Sequence, residues 1–297
     1  MRLYVIGGDG QVARSLREAA ALQPDIVYGY GARPLVDLQD PSSLENAIGN
    51  FKPDLVINPA AYTAVDKAEA EPDQAFAINR DGARSIARIT AKLGIPIIQL
   101  STDYVFDGNK QGAYVESDPV APQGIYGRSK LEGEIAVGQA NPKHIVLRTS
   151  WVYAPFGSNF VRTMLRLSAE RDRLRVVDDQ HGCPTYAPDI ANAILAIGRI
   201  WGDSGWNSRF AGVTHLAGPE VMTWCDFARA IIAGAALHGG RTIPVDPITT
   251  SEYPTPASRP LNSQLSTARL NSLFGVHLPP VKTSLGDCLD RLLRQEA

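Results

Sequence analysis

Short unbroken apolar runs alternate along the chain with stretches in which apolar residues recur every three or four positions. Residues 3–6 form the first run. It is closed by Gly7-Gly8-Asp9-Gly10, and residues 11–22 follow with helical spacing at Val12, Leu16 and Ala19. The same reading predicts strands at 26–30, 55–57 and 95–100, a helix opening at Pro41 behind an Asp40 cap, and a helix over 72–93 stopped by Gly94. Such alternation implies an α/β protein with a doubly wound parallel sheet covered on both faces. A helix over 126–137 and a strand over 145–149 continue it, and the pattern then loosens. Helices at 160–170, 190–200, 224–237 and 284–293, a strand at 174–177, a polar linker at 202–212 and a Pro-rich stretch at 244–260 predict a smaller, mixed C-terminal part.

Composition narrows the function. Over 297 residues, 29 Lys+Arg against 31 Asp+Glu leave a formal charge of −2, so no basic field exists with which to hold nucleic acid. An apolar share of 44% excludes intrinsic disorder. Cys183, Cys225 and Cys288 form no CxxC pair, and His144, His181, His215, His238 and His277 form no metal-binding cluster. With neither a secretory h-region nor a membrane span, the expectation is a cytoplasmic protein with no membrane partner.

Four local features suggest chemistry. Gly7-Gly8-Asp9-Gly10-Gln11-Val12-Ala13 reads G-x-x-G-x-x-A between a predicted strand and a predicted helix. There, small residues let the backbone approach a pyrophosphate and the helix start offers it free N–H groups; the bland reading is a tight turn without a ligand. After the second strand no acid precedes Asp37, whereas Arg33 is in range of a 2′-phosphate, which leans toward NADPH with NADH possible. Tyr126 and Lys130 are four apart, on one helix face, so an ammonium can lie beside a phenol and draw its pKa down toward the working range of a proton donor. Ser101-Thr102-Asp103 directly follows a predicted strand, at the end where open α/β sheets bind ligands. Any one of these alone has a structural explanation, but together they have the order and spacing of a short-chain dehydrogenase/reductase.

The resemblance can be drawn more closely. GGDGQVA at 7–13, NPAAYTAVDKAE at 58–69, STDYVFDG at 101–108, YGRSKLEGE at 126–134, LRTSWVY at 147–153, QHGCPT at 180–185 and YPTPASRPLNS at 253–263 span nearly the whole chain. In these blocks it resembles the dTDP-4-dehydrorhamnose reductase family of extended short-chain dehydrogenase/reductases. The resemblance implies a Rossmann dinucleotide-binding domain over 1–150, to which part of 174–215 returns, and a sugar-nucleotide domain over 151–173 and 216–297. It implies that Gly7, Gly10, Gln11, Val12, Ala61, Tyr62, Thr63 and Leu100 line the cofactor, with Asp37 and Leu38 near its adenine end. Thr102, Tyr126 and Lys130 would be catalytic, Lys130 also anchoring the ribose, and Asp103 and Trp151 would touch the sugar nucleotide.

The implied reaction is NAD(P)H-dependent reduction of dTDP-6-deoxy-L-lyxo-4-hexulose to dTDP-L-rhamnose, for polysaccharide biosynthesis. Another nucleotide-sugar 4-keto reductase or epimerase, or a non-catalytic dinucleotide-binding subunit, is the alternative. Three residues keep two readings each: Trp151 is core packing or substrate contact, Asn159 a helix cap or a ligand group, and Arg259 a solvated charge or a diphosphate holder. Two positions depart from the family pattern. Ala13 replaces a third glycine, and Ser15 stands where some members place an acid that bridges metal-linked dimers. The expectation is therefore a monomer or weak homodimer with no Mg requirement.

Overall fold

The computed structural model describes residues 1–293. Its first strand, β1 (Arg2–Ile6), leads through the glycine turn into α1 (Gln11–Ala21), β2 (Val27–Gly31), α2 (Pro41–Phe51) and β3 (Leu55–Asn58). Two short helices, α3 (Val65–Ala68) and α4 (Pro72–Phe76), precede a π-helical segment (Ala77–Gly82), α5 (Ala83–Lys92), β4 (Ile97–Thr102), α6 (Ile125–Ala140) and β5 (His144–Thr149). With β10, defined below, these strands form one parallel sheet in the order β10-β5-β4-β3-β1-β2. Strand order therefore reverses between β1 and β3, which places the ligand crevice outside their C-terminal ends.

Alternate residues of each strand face opposite cores. Leu3, Val5, Leu55, Ile57, Ile98 and Leu100 pack on one side, under α1. Tyr4, Ile6, Val56 and Ile97 pack on the other, under α2 and α5. The Asp40 cap is real: its carboxylate accepts from Ser42 N at 3.0 Å, with Pro41 opening the helix.

Beyond β5 come β6 (Val152–Tyr153), α7 (Phe160–Glu170), β7 (Leu174–Val177), β8 (His181–Gly182), β9 (Thr185–Tyr186), α8 (Ala187–Ser204) and β10 (Gly212–His215). The chain closes with β11 (Met222–Thr223), α9 (Trp224–Ala236), β12 (Val245–Ile248), β13 (Asn262–Ser263), α10 (Ala268–Phe274) and α11 (Val281–Leu293). Helix α8 packs in the same core as α1, while α7, α9 and α11 enclose a separate core around Phe227, Ile231 and Leu285. A small mixed sheet, β11-β8-β13, and a parallel pair, β12-β7, complete that half. No described helix is long and apolar enough to cross a membrane.

Residues 72–92 are helical throughout, as expected, with a π-helical stretch at Ala77–Gly82 between α4 and α5. One sequence expectation needs correction. Residues 202–212 are not a free linker: α8 runs on to Ser204, and Phe210 is buried against Trp206 and Phe274 before the chain enters β10. Polar composition hid one aromatic anchor.

Helix α6 lies unusually close to its neighbours. A Cβ added at Gly133 would stand 2.1 Å from Asn79 O, and one at Gly127 2.2 Å from Tyr104 O. Gly133→Ala is therefore expected to overpack this contact, costing about 1–3 kcal/mol and lowering Tm by several degrees. Scanning calorimetry checks this, and an unchanged Tm would mean that α6 can shift without cost.

Candidate active site

The glycine turn owes its shape to Gly7, whose φ of +99° is open to glycine, and its access to Gly10, where an added Cβ would meet nothing within 4 Å. Gly10 caps α1 without a side-chain hydrogen bond, and the first turn carries no acid. The leading N–H groups and the positive end of the helix dipole are thus free for an anion. They open on a cleft of about 530 Å³, whose walls include Gly7, Gly10, Gln11, Val12, Ala61, Thr63, Leu100, Tyr126 and Lys130. A pyrophosphate against α1 and a flat ring against Tyr126 suit this shape.

The loop 61–63 is held from behind by Asn79. Its side-chain oxygen accepts from Tyr62 N at 2.8 Å, and its Nδ2 donates to Tyr62 O at 3.1 Å and to Ser129 Oγ at 2.9 Å. Tyr62 in turn donates its hydroxyl to Glu71. Asn79 escaped the sequence reading. Its only signal there is a polar residue inside an apolar helical pattern.

At the end of β4, Thr102 Oγ1 donates to Asp103 Oδ1 at 2.9 Å and accepts from Tyr104 N at 3.2 Å. Asp103 is buried, which pushes its carboxyl up to about 6 against the pull of Ser263 and Thr102, and its Oδ2 has no partner. Tyr104 meets Tyr126 edge to face at 5.5 Å. Tyr126 and Lys130 thus both line the cleft, and the Thr102 hydroxyl lies beside the Tyr126 phenol.

The sequence reading expects Lys130 to lower the Tyr126 pKa, and here the structure differs. Burial pushes the Tyr126 phenol up to about 12, with the Thr102 hydroxyl acting the other way. Lys130 is itself buried and donates to Leu100 O at 2.6 Å. Desolvation outweighs the Glu134 carboxylate and draws the ammonium down to about 8. Each group is governed by its own loss of water more than by its neighbour.

Below them lies a buried ion pair. Arg148 Nε and Nη2 donate to the two Glu134 oxygens at 2.9 and 2.7 Å, and Ser101 Oγ donates to Glu134 as well. Neither side chain of the pair is more than 4% exposed.

The other candidate residues are more dispersed. Arg33 is exposed and lines an adjoining hollow of about 910 Å³ with Gly8, Tyr30, Ser42 and Asn46. Asp37 and Leu38 line neither hollow: Asp37 accepts from Gln39 N at 2.9 Å, and Leu38 packs where a Cβ on Gly82 would fall. The Asn159 side chain is spent locally, its Oδ1 capping α7 through Arg162 N and its Nδ2 donating to Gln11 Oε1, Ala154 O and Phe156 O. The cap reading therefore holds for Asn159, and a ligand contact would have to displace one of those bonds.

A second hollow, about 560 Å³, is bounded by Asp66, Tyr104, Phe160, Trp224 and Arg259. It meets the cofactor-side cleft across the Tyr104–Tyr126 pair. Trp151 stacks on Trp224 at 3.5 Å and 7°, with a left-handed backbone at φ +48°. The indole lies flat because β8 offers Gly182, where a Cβ would come within 2.3 Å of it. Trp224, which the sequence places only at a helix start, lines the hollow, and Trp151 is joined to it through this stack.

The sheet reversal beside an uncapped helix start, with a phenol and an ammonium over one cleft, defines a Rossmann-type dinucleotide-binding protein. Residues 1–294 match the family model described as RmlD substrate binding domain, and the chain belongs to that family. A dTDP-4-dehydrorhamnose reductase of Sinorhizobium fredii is 48% identical over 279 residues, 94% of this chain and 93% of that protein. A solved dTDP-4-dehydrorhamnose reductase ortholog of Clostridium acetobutylicum superposes with a TM-score of 0.90 at 34% identity, covering 98% of this chain and 99% of that one. The Bacillus anthracis dTDP-4-dehydrorhamnose reductase in complex with NADP gives 0.86 at 33% identity, covering 100% and 99%.

The buried ammonium supplies a direct check. In protein carrying ¹³C-labelled lysine, Lys130 is expected to titrate near pH 8 rather than 10.5. Because Glu134 favours the charged form, Glu134→Gln should move the midpoint lower still. A Lys130 midpoint near 10 in folded protein would contradict the burial argument.

Proposed function

We propose that this chain reduces the 4-keto group of dTDP-4-dehydro-L-rhamnose to give dTDP-L-rhamnose, with NADPH as the reductant. The observation that carries the reading is that Tyr126 and Lys130 line the α1 cleft where the Tyr104–Tyr126 pair joins it to the Trp224–Arg259 hollow, with the Thr102 hydroxyl beside the phenol. When bound, NADPH supplies the hydride. The protein supplies alignment, charge and a proton.

The free N–H groups at the start of α1 would hold the pyrophosphate, Ala61 and Thr63 would line the cofactor, and Lys130 would anchor the ribose. To orient the substrate carbonyl toward Tyr126, Thr102 turns its hydroxyl from Asp103 to that oxygen. As the new C–H bond forms, the carbonyl π electrons pass to oxygen, the Tyr126 O–H bond breaks toward that oxygen, and a phenolate remains on α6. With its pKa raised to about 12 by burial, the Tyr126 phenol is protonated at neutral pH and carries the proton to be given.

Arg259 and Trp151 serve the sugar nucleotide in this reading, whereas Asp103, expected to touch it, is 3% exposed and lines neither hollow. The division into a dinucleotide half and a sugar-nucleotide half draws support from the two separate cores, except that α10, expected in the second half, packs into the first core through Leu270 and Phe274. Neither a metal bridge nor a tight dimer is part of the proposal. The position where a bridging acid is expected is Ser15, buried with its hydroxyl on Gln11 O at 2.8 Å, and nearby Glu18 is paired with Arg14 and Arg291.

The deciding assay is loss of NADPH absorbance on adding the keto-sugar nucleotide. Tyr126→Phe is expected to fold and bind NADPH as wild type does, yet lose about 10²- to 10⁴-fold in turnover. Near-normal turnover would remove the proton-donor role. Arg33→Ala is expected to raise the KM for NADPH roughly tenfold, the size of one charge-assisted hydrogen bond, while barely changing that for NADH. Equal changes for both cofactors would refute contact with the 2′-phosphate.

A further inference from the structure

Asp66 lies three residues beyond the 61–63 loop, at the head of α3, yet both its oxygens face a segment nearly two hundred positions away. Oδ2 accepts from Arg259 Nη2 at 2.7 Å and Oδ1 from Ala257 N at 3.1 Å. The carboxylate thus grips the 257–259 loop by backbone and side chain together. The same Arg259 leaves its other terminal nitrogen, Nη1, buried without a partner, and both residues line the hollow beside Tyr104. A guanidinium presents its nitrogens as a rigid fork, so fixing one prong on a carboxylate aims the other.

Stability does not explain the pair. The Asp66 side chain is 43% exposed, and an ion pair that solvent reaches so readily adds little to folding. What it does provide is direction. Nη1 is shielded from solvent and unpaired, on a side chain that lines the hollow, so an anionic oxygen entering there would give it the partner it lacks.

We infer that Asp66 is a positioning residue for substrate: it holds Arg259 so that Nη1 meets the diphosphate of the sugar nucleotide. The inference rests on the proposed function, since it takes the hollow to be the sugar-nucleotide site. It also ties the two halves of the reaction together, because α3 follows directly on the loop that would line the cofactor.

Competition by dTDP, which carries the diphosphate, and by thymidine, which lacks it, separates this role from a merely structural one. Asp66→Asn preserves shape but removes the charge and the acceptor facing Nη2. It is expected to raise the KM for the keto-sugar nucleotide and the Ki for dTDP about tenfold each, the size of one charge-assisted hydrogen bond. The effect falls on KM. Thymidine competition and the NADPH dissociation constant stay within about twofold. Asp66→Glu, which keeps the charge, should lie closer to wild type than Asp66→Asn. In an Arg259→Gln background, where dTDP binding is already weak, Asp66→Asn should add no further loss, because the two residues act as one unit.

Unchanged or tighter dTDP binding in Asp66→Asn overturns the proposal. So does equal weakening of dTDP and thymidine, which would mean a collapsed pocket, or losses that simply add in the double variant. Wild-type protein that binds dTDP but leaves the keto-sugar unreduced defeats the functional reading and keeps the Asp66 comparison decisive. Wild-type protein that binds no dTDP overturns both.

Discussion

The geometry of the site hangs on the buried pair of Glu134 and Arg148. Breaking such a pair by removing one partner costs about 3–5 kcal/mol, whereas apolar residues of equal volume could replace both with little loss, so stability alone does not call for it. What it confers is registration. Glu134 stands two turns beyond Tyr126 and one beyond Lys130 on α6, and it is bound at once to β5 through Arg148 and to β4 through Ser101. The helix can therefore neither slide nor rotate without parting charges in a low-dielectric interior. Gly127 and Gly133 complete the arrangement by letting α6 approach until its backbone nearly touches Tyr104 O and Asn79 O.

Much of the framework was legible in the chain because it rests on local rules. Apolar runs of strand length, a glycine at a positive φ before α1, an Asp-Pro helix start at 40–41 and a Gly stop at 94 all carry their meaning within a few residues. So does the spacing of Tyr126 and Lys130, which share a helix face and line one cleft. The π-helical segment was not legible. It keeps an almost helical apolar period while adding width to one turn, and that widened turn carries Asn79 beneath the 61–63 loop.

The site also held what no local pattern could display. Asn159 reads equally as cap or ligand group until the positions of Gln11 and Ala154 are known. The electrostatics of Tyr126 and Lys130 reverse the expectation for the same reason. Spacing reports that two groups are near each other, but only the fold reports how much water each has lost. The partner of Arg259 is carried by an element from the far end of the chain, with no periodicity to connect them.

Gly108, at the close of the STDYVFDG block, has a φ of +79° and packs against Pro260 so tightly that a Cβ would come within 2.5 Å of it. Asn262 then donates to Lys110 O and Gly112 O, and Tyr114 forms a bridge with Leu265. The late loop is thus threaded onto an early one, and the two share a small apolar cluster of their own around Phe106, Tyr114 and Leu265. For recombination, this makes the C-terminal part a poor cassette. A chimera that imports it from a relative to change sugar preference must bring residues 107–114 along, or it joins two surfaces that never evolved to fit.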